Sequence, residues 1–312
     1  MYKNRKICVI IPYYNAAKHI TEVINGIPGF TDQIIVVDDN SPEALPEAIS
    51  RNEKVHVIHN EINKGVGGAV TEGFRHALDS DCDIVVKMDA DGQMDPAYLP
   101  PLLDALIERD FGFAKGNRFH DLEALKKMPF VRRTGNLVLS FLVKAATGYW
   151  NNFDPTNGYF AIKKEVLQQI NLNNLSPRYF FETSLLAELY YHQTPIADIP
   201  MPAIYGDEKS NMKVWKMPFE FLPKLLKAIW KRIYITYYLY DFNMASVYMF
   251  FGIPLFLFGL VFGSYKWWYY ASRHVPAPTG TVMIAVLSVI LGFQLILQAI
   301  QYDIQRAPKS KP

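Results

Sequence analysis

Cysteine is scarce in this chain: Cys8 and Cys82 are the only two among 312 residues. Both lie in apolar, strand-like runs, which excludes a disulfide framework and points to a reducing compartment. An excess of either charge is also lacking. Lys and Arg number 32 against 30 Asp and Glu, a formal charge of +2, so the basic footprint of a nucleic-acid binder is missing. The seven histidines show no zinc-ligand spacing. No internal repeat is apparent, and the P-loop order G-x-x-x-x-G-K-[ST] does not occur. The apolar stretch after Lys6 is short and contains Pro12, so no secretory signal is expected. What is present in quantity is apolar side chain, 50% of residues, with 20% charged and 14% aromatic. That composition excludes a disordered chain.

The apolar residues are unevenly spread. From Met244 to Tyr302 the only Lys, Arg, Asp or Glu are Lys266 and Arg273. Two apolar runs flank them, roughly Ala245 to Tyr265 and Gly280 to Ile300. Each is about 20 residues, or about 30 Å as a helix, the thickness of a hydrocarbon core. Two membrane spans are expected, joined by a turn at Pro276-Ala277-Pro278, with Lys266-Trp267-Trp268-Tyr269-Tyr270 as an interfacial belt and a kink at Pro254. The alternative is a buried hairpin of a globular domain. Lys213, Lys216, Lys224, Lys227, Lys231 and Arg232 precede the first span; Arg306, Lys309 and Lys311 follow the second. The positive-inside rule assigns both ends to the cytoplasm. Between Lys213 and Asn243, Leu222, Leu225, Leu226, Ile229 and Ile233 share one helical face and Lys224, Lys227 and Lys231 another. With Trp215 and Trp230 this reads as an amphipathic helix in the headgroup layer, or else as a surface helix of the preceding domain. Three regions follow: 1–211 catalytic, 212–243 juxtamembrane, 244–312 a two-span hairpin with a short tail.

The first two hundred residues alternate short β-rich runs with helical spacing. Strands are expected at Lys6 to Ile11, Gln33 to Val37, Val55 to His59 and Asp83 to Met88. Helices are expected at Ala17 to Ile27, Glu43 to Ser50, Val66 to Leu78 and Pro96 to Glu108. Such alternation implies an α/β fold with a mainly parallel sheet, whose ligands bind outside the carboxyl ends of the strands. Polar clusters sit at those ends: Pro12 to Asn15, Asp38 to Pro42, Asn63 to Gly68 and Asp89 to Pro96.

Asp89 and Asp91, at i and i+2 in a turn after a strand, can converge on one hard cation, with Gln93 adding an oxygen; Mg²⁺ or Mn²⁺ suits oxygen ligands. Asp38 can cap the helix near Pro42. Asp39 is favoured for hydrogen bonds to a nucleobase or ribose. Lys64-Gly65-Val66-Gly67-Gly68 looks like a phosphate cradle opening a helix, or a run of glycines that permits close backbone packing. Arg118, Arg132 and Arg133 can grip phosphate, including an anionic headgroup.

Pro12-Tyr13-Tyr14-Asn15, Val37-Asp38-Asp39-Asn40-Ser41-Pro42, Asn63-Lys64-Gly65-Val66-Gly67, Asp89-Ala90-Asp91-Gly92-Gln93 and Asp154-Pro155-Thr156-Asn157-Gly158-Tyr159 occur in that order. The set resembles glycosyltransferase family 2, and within it the polyprenyl-phosphate glycosyltransferases of the dolichyl-phosphate mannose synthase type. The resemblance spans residues 6 to about 215, and the hairpin fits bacterial members with two spans. It implies a GT-A, Rossmann-like fold. It implies that Pro12, Tyr14 and Asp39 hold the nucleoside, with Lys64 also in the nucleotide-sugar site. It implies that Asp89, Ala90, Asp91 and Gln93 form the metal–diphosphate turn. Arg118 and Arg132 match arginines near the donor and acceptor phosphates, joined by Arg133 on the acceptor side, and Asp91, Arg118 and Arg132 carry the catalysis. Asp207-Glu208-Lys209-Ser210 resembles the segment that closes over the donor. Two positions depart from the family pattern: Ala16 stands where a Glu is usual, and Tyr205-Gly206 where a basic residue is common.

The implied reaction is displacement at the anomeric carbon of a nucleoside diphosphate sugar by an oxygen of a membrane polyprenyl phosphate. The enzyme would sit in a bacterial-type inner membrane with its catalytic domain in the cytoplasm. A phosphate with its second pKa near 6 is already ionised at neutral pH and needs little or no general base. Two rival readings stand beside this one. An acceptor hydroxyl of a lipid-linked saccharide or polysaccharide would need a base, for which Glu182 is the candidate. The Q-x-x-R-W motif of processive synthases is absent. A non-catalytic, membrane-anchored nucleotide-binding protein would bind nucleotide without turnover. UDP and GDP donors, the sugar, and a monomer or homo-oligomer all stay open.

Overall fold

The structure is a computed structural model and describes residues 1–118, 130–202 and 217–309, without the side chains of residues 50, 130–134, 136 and 217–219. It divides into two units, Met1–Ile229 with the tail from Pro308, and Trp230–Ala307.

In the first unit the chain runs β1 (Ile7–Tyr13), α1 (Ala17–Gly26), β2 (Gln33–Asp38), α2 (Glu47–Ser50), β3 (Val55–His59), α3 (Val66–Asp79), β4 (Ile84–Lys87), α4 (Leu99–Ile107) and β5 (Phe113–Asn117). After β5 come α5 (Phe130–Thr147), β6 (Phe160–Lys163), a one-turn helix α6 (Lys164–Leu167), α7 (Phe181–Tyr191), β7 (Ile196–Pro200) and α8 (Met217–Tyr234), whose residues from Trp230 on belong to the second unit. The seven strands form one sheet in the order β3-β2-β1-β4-β6-β5-β7. Only β6 is antiparallel to its neighbours, β4 and β5. The expected α/β, mainly parallel architecture is thus observed.

Apolar runs with no polar alternation belong to strands covered on both faces. In β1, Ile7, Val9, Ile11 and Tyr13 enter one core, with Ile20 and Val23 of α1 and Leu99, Leu102, Leu103 and Leu106 of α4. Cys8 and Ile10 enter the opposite core, with Val70 and Phe74 of α3 and Phe181, Leu185 and Leu189 of α7. α2 begins four residues later than expected because Pro46 stands at its N-cap, and the residue before a proline is driven out of helical geometry. The chain crosses from β3 to β4 on the other side of β1, so the switch point of the sheet lies at the carboxyl ends of β1 and β4, where ligands of such sheets bind.

On α8, Phe221 and Leu225 are buried among Val143, Ala146 and Phe180. Leu222 and Leu226 are exposed, beside exposed Lys224 and Lys227. The expected apolar face is therefore split: one row packs on protein and the next row faces outward.

The second unit continues from Trp230 through a π-helical turn, Ile235–Tyr240, into α9 (Met244–Ser272) and α10 (Thr279–Gln305). Asn243 and Ser246 form a capping box at the start of α9. Both helices are long and apolar enough to cross a membrane, with mean hydropathy 2.1 and 2.3 over their most apolar windows, of which only 22% and 11% is buried. Core helices of soluble domains are mostly buried. A Cβ on Gly292 would lie 2.4 Å from the backbone nitrogen of Phe256, and one on Gly259 would lie 2.7 Å from that of Val289. These glycines let the two backbones approach as membrane helices do. Arg232 and Asp303, both buried, form a two-point ion pair at 2.7 and 2.8 Å, and the Tyr237 hydroxyl also donates to Asp303.

Candidate active site

The carboxyl ends of β1, β2, β4 and β5, together with the segment entering antiparallel β6, bring most of the expected residues to one edge of the sheet. Tyr14 stands there 47% exposed, just past Pro12, which pairs with Val37 in register. Asp39 is buried and fully engaged. Its carboxylate accepts from Asn60 Nδ2 at 2.8 Å and from the backbone amides of Lys64 and Gly65 at 2.9 and 2.7 Å. In this structure it ties the loop after β3 to the end of β2. Asp38 accepts from the Ser41 amide at 2.9 Å and lies 3.0 Å from His59 Nδ1.

The glycine-rich opening of α3 serves packing. Gly65 adopts φ +80°, a left-handed conformation that favours glycine. A Cβ on Gly67 would lie 2.2 Å from the Ser176 carbonyl, and the Gly68 amide donates to the Pro177 carbonyl at 2.9 Å. Lys64 pairs with Glu72 at 3.3 Å. Of the amides expected to cradle phosphate, those of Lys64, Gly65 and Gly68 are thus taken up by protein acceptors.

The acidic turn follows β4 directly. Asp91 accepts from the Gln93 amide at 2.9 Å, and Ala90 is buried beneath it. Asp89 pairs through Oδ1 with Lys87 Nζ at 2.7 Å, and the lysine side chain is only 2% exposed. Glu182, in the first turn of α7, is the third charged group here. A Cβ on Gly158 would lie 2.4 Å from Lys87 Nζ and 3.4 Å from both Asp89 Oδ2 and Glu182 Oε1. Burial pushes the Glu182 carboxyl up; the Lys87 charge opposes this and the Asp89 charge adds to it. Among the described residues no three His, Cys, Asp or Glu side chains gather as a metal cage. Two carboxylates and one amide side chain on a turn fit instead a hard cation that takes its remaining oxygens from phosphate and water, the habit of Mg²⁺.

Arg118 extends from the end of β5 onto Asp154. Its Nε donates to Oδ2 at 2.7 Å and its Nη2 to Oδ1 at 2.9 Å, while its backbone amide donates to Oδ2 at 3.1 Å. This two-point fork fixes the plane of the guanidinium. Asp154 has no exposed side-chain surface, against 41% for Arg118. Burial pushes the Asp154 carboxyl up, but the Arg118 side chain and amide outweigh it and hold the carboxyl below the usual range. Beneath them Lys115, buried in β5, pairs with Asp198 of β7 at 2.9 Å and donates to the carbonyls of Phe153 and Asp154. Asp198 in turn accepts from the Phe153 amide at 2.6 Å. The loop bearing Asp154 is thereby anchored from below.

Arg132 and Arg133 fall on α5, and their side chains lie outside the described residues, as do Asp207 to Ser210. Sequence reasoning missed Lys87, Lys115 and the role of Asp154. The available signal was a charged residue within an otherwise apolar, buried strand.

The model of the family described as glycosyl transferase family 2 matches residues 8–170. UDP-N-acetylglucosamine–dolichyl-phosphate N-acetylglucosaminyltransferase of Methanococcus voltae is 30% identical over 221 residues, covering 65% of this chain and 88% of that one. Dolichol-phosphate mannosyltransferase of Pyrococcus furiosus is 32% identical over 233 residues, covering 72% and 64%. Among solved structures, glucosyl-3-phosphoglycerate synthase of Mycobacterium tuberculosis, in complex with Mn²⁺, UDP and phosphoglyceric acid, superposes with a TM-score of 0.55 at 20% identity, covering 72% of this chain and 79% of that one. This likeness speaks for a shared fold. The family match takes in more than half of the chain, including the acidic turn, Arg118 and Asp154: the chain belongs to glycosyl transferase family 2 and is a glycosyltransferase.

Proposed function

We propose that this enzyme transfers a sugar, with inversion, from a nucleoside diphosphate sugar to the phosphate of a membrane polyprenol. One observation carries the reading. The acidic turn Asp89–Gln93 and the Asp154-clamped Arg118 belong to the same chain as two helices long and apolar enough to cross a bilayer. The Methanococcus and Pyrococcus relatives, named for dolichyl- or dolichol-phosphate transfer, support it.

Asp89, Asp91 and Gln93 would hold Mg²⁺ or Mn²⁺, which when bound neutralises the diphosphate and eases its departure. Tyr14, exposed at the sheet edge, is assigned to the nucleoside together with Pro12 and Asp39; Asp39 acts there by fixing the loop that carries Lys64 and Gly65. Arg118 orients an anionic oxygen, its plane set by Asp154 before any ligand arrives, so little reorganisation is needed on binding. Arg132 and Arg133 are assigned to the acceptor phosphate. An ionised phosphate attacks without a base. Glu182, the base that a hydroxyl acceptor would require, borders the point above Gly158 together with Lys87 Nζ and Asp89 Oδ2. The catalytic unit and both ends of the hairpin are assigned to the cytoplasmic face, on the lysines and arginines that flank the spans.

The test is to incubate membranes containing the full chain with labelled UDP- and GDP-sugars and analyse the extracted lipid by mass spectrometry. The expected product is a polyprenyl phosphate carrying one sugar, lost in Asp91→Ala and Arg132→Ala and on chelation of divalent cations. Label appearing on a saccharide hydroxyl would overturn the acceptor assignment. Nucleotide binding without transfer would overturn the activity.

A further inference from the structure

Lys87 has no part in the transfer just described, yet its ammonium is buried beneath the acidic turn. β4 reads Ile84-Val85-Val86-Lys87 and all four residues are buried. An ammonium taken from water carries a large desolvation cost unless it is paired. Here Asp89 pairs with it. Asp89 Oδ1 lies 2.7 Å away, and Glu182 Oε1 approaches the same point above Gly158 that the ammonium and Asp89 Oδ2 border.

We propose that Lys87 is an internal counter-ion that occupies Asp89 until a cation arrives with a diphosphate, and that Glu182 is the carboxylate that keeps Lys87 when Asp89 turns to that cation. The inference rests on the acidic turn being the cation site. With Asp89 paired to Lys87, a free divalent cation meets less negative charge at the acidic turn and binds weakly. A cation carried by a nucleoside diphosphate brings anionic oxygens of its own and draws Asp89 across. Lys87 then needs another partner, and its flexible side chain can turn to Glu182, whose Oε1 borders the same point above Gly158. Gly158 is required because any side chain would occupy the point the three groups share. Lys87 thereby selects the cation–nucleotide complex over the bare ion, and Glu182 is a positioning residue acting through it.

The test is Mn²⁺ binding to the full chain in detergent, followed by the electron paramagnetic resonance of free Mn²⁺, with and without UDP or GDP. The parent should bind Mn²⁺ at least about tenfold tighter with nucleotide than without, within the range seen for groups that act behind metal ligands. Lys87→Met should tighten binding of Mn²⁺ alone by about tenfold and remove most of that difference. Gly158→Ala, which displaces the ammonium without changing any charge, should move it the same way and serves if Lys87→Met does not fold. Glu182→Gln should weaken binding with nucleotide by about tenfold and leave binding without it unchanged. Parent-like Mn²⁺ affinity in both Lys87→Met and Gly158→Ala, with binding still abolished by Asp91→Ala, overturns the role of Lys87 alone. Binding that survives Asp91→Ala overturns the acidic-turn reading and this inference with it.

Discussion

At Asp154 burial and charge pull on one carboxyl in opposite directions, and charge prevails. A carboxyl held below its unfolded pKa, about 3.9, binds fewer protons when folded. Its contribution to stability is therefore complete above that value and fades as the pH falls through the lower, folded value. Asp154→Asn should lower the stability of the full chain in detergent by about 1.5–3 kcal/mol at pH 7, with the gap to the parent closing below about pH 4. Thermal melts at the two pH values check this, and a gap that does not narrow would show that the charge contributes nothing. Arg118→Lys keeps the charge but cannot fork onto a carboxylate. It should lower kcat/KM by about a hundredfold, the scale of a displaced positioning group, while the melting temperature falls less than in Asp154→Asn. Asp89 and Asp91 stand out in the sequence because they follow an apolar strand directly, and the structure places them in the turn after β4. The partner of Arg118 does not stand out, since 36 residues separate it from Asp154 and only the antiparallel entry into β6 brings them together. Lys87 and Lys115 were hidden for a related reason: a lysine in a short strand looks solvated until its buried partner is located.

Among the elements, long uniform runs were readable and short mixed ones were not. β1, β2 and β4 have apolar cores and β3 is rich in β-branched residues, and the sequence places all four. β5 contains Lys115, Gly116 and Asn117, β7 ends in Pro200, and β6 has four residues; none carries a pattern that stands out without its neighbours. Helical spacing located α8, but a single helical wheel could not reveal that its apolar residues divide between two environments. The division has a measurable consequence. Leu225 is 1% exposed and packs beside Phe180 and Phe221, whereas Leu226 is 46% exposed. Leu225→Ala should cost about 2–5 kcal/mol, and Leu226→Ala well under 1 kcal/mol, in detergent melts. Equal losses would mean that the row of Leu222 and Leu226 also packs on protein. Gly67→Ala belongs with the costly changes, because the obstruction it meets is the backbone carbonyl of Ser176, which cannot swing aside as a side chain can.

Across the whole molecule a sheet domain and a pair of long, mostly unburied apolar helices share one chain, and the second unit shows where sequence reasoning reached its limit. The two long apolar helices follow from apolar length alone, but the buried Arg232–Asp303 pair does not, because 71 residues separate its members and each looks like an ordinary charge flanking an apolar run. Removing one partner of a buried pair leaves the other uncompensated, so Asp303→Asn should destabilise the full chain by about 3–5 kcal/mol; a melting temperature within error of the parent would show that Arg232 finds water instead. Orientation is the larger question. The link between α9 and α10 carries Arg273 and the segment before α9 carries a row of lysines, so the proposed topology puts Ser272 on the far side of the membrane from Lys309. Cys8 and Cys82 are both buried, and replacing them with serine leaves a background for single-cysteine probes. In intact cells a membrane-impermeant maleimide should label Ser272→Cys, and Lys309→Cys should be labelled only after permeabilisation. The reverse pattern would move the sugar donor to the outside, where nucleotide sugars are not supplied, and would exclude the proposed reaction. Labelling of both sites in intact cells would show that the two apolar helices lie against the membrane without crossing it.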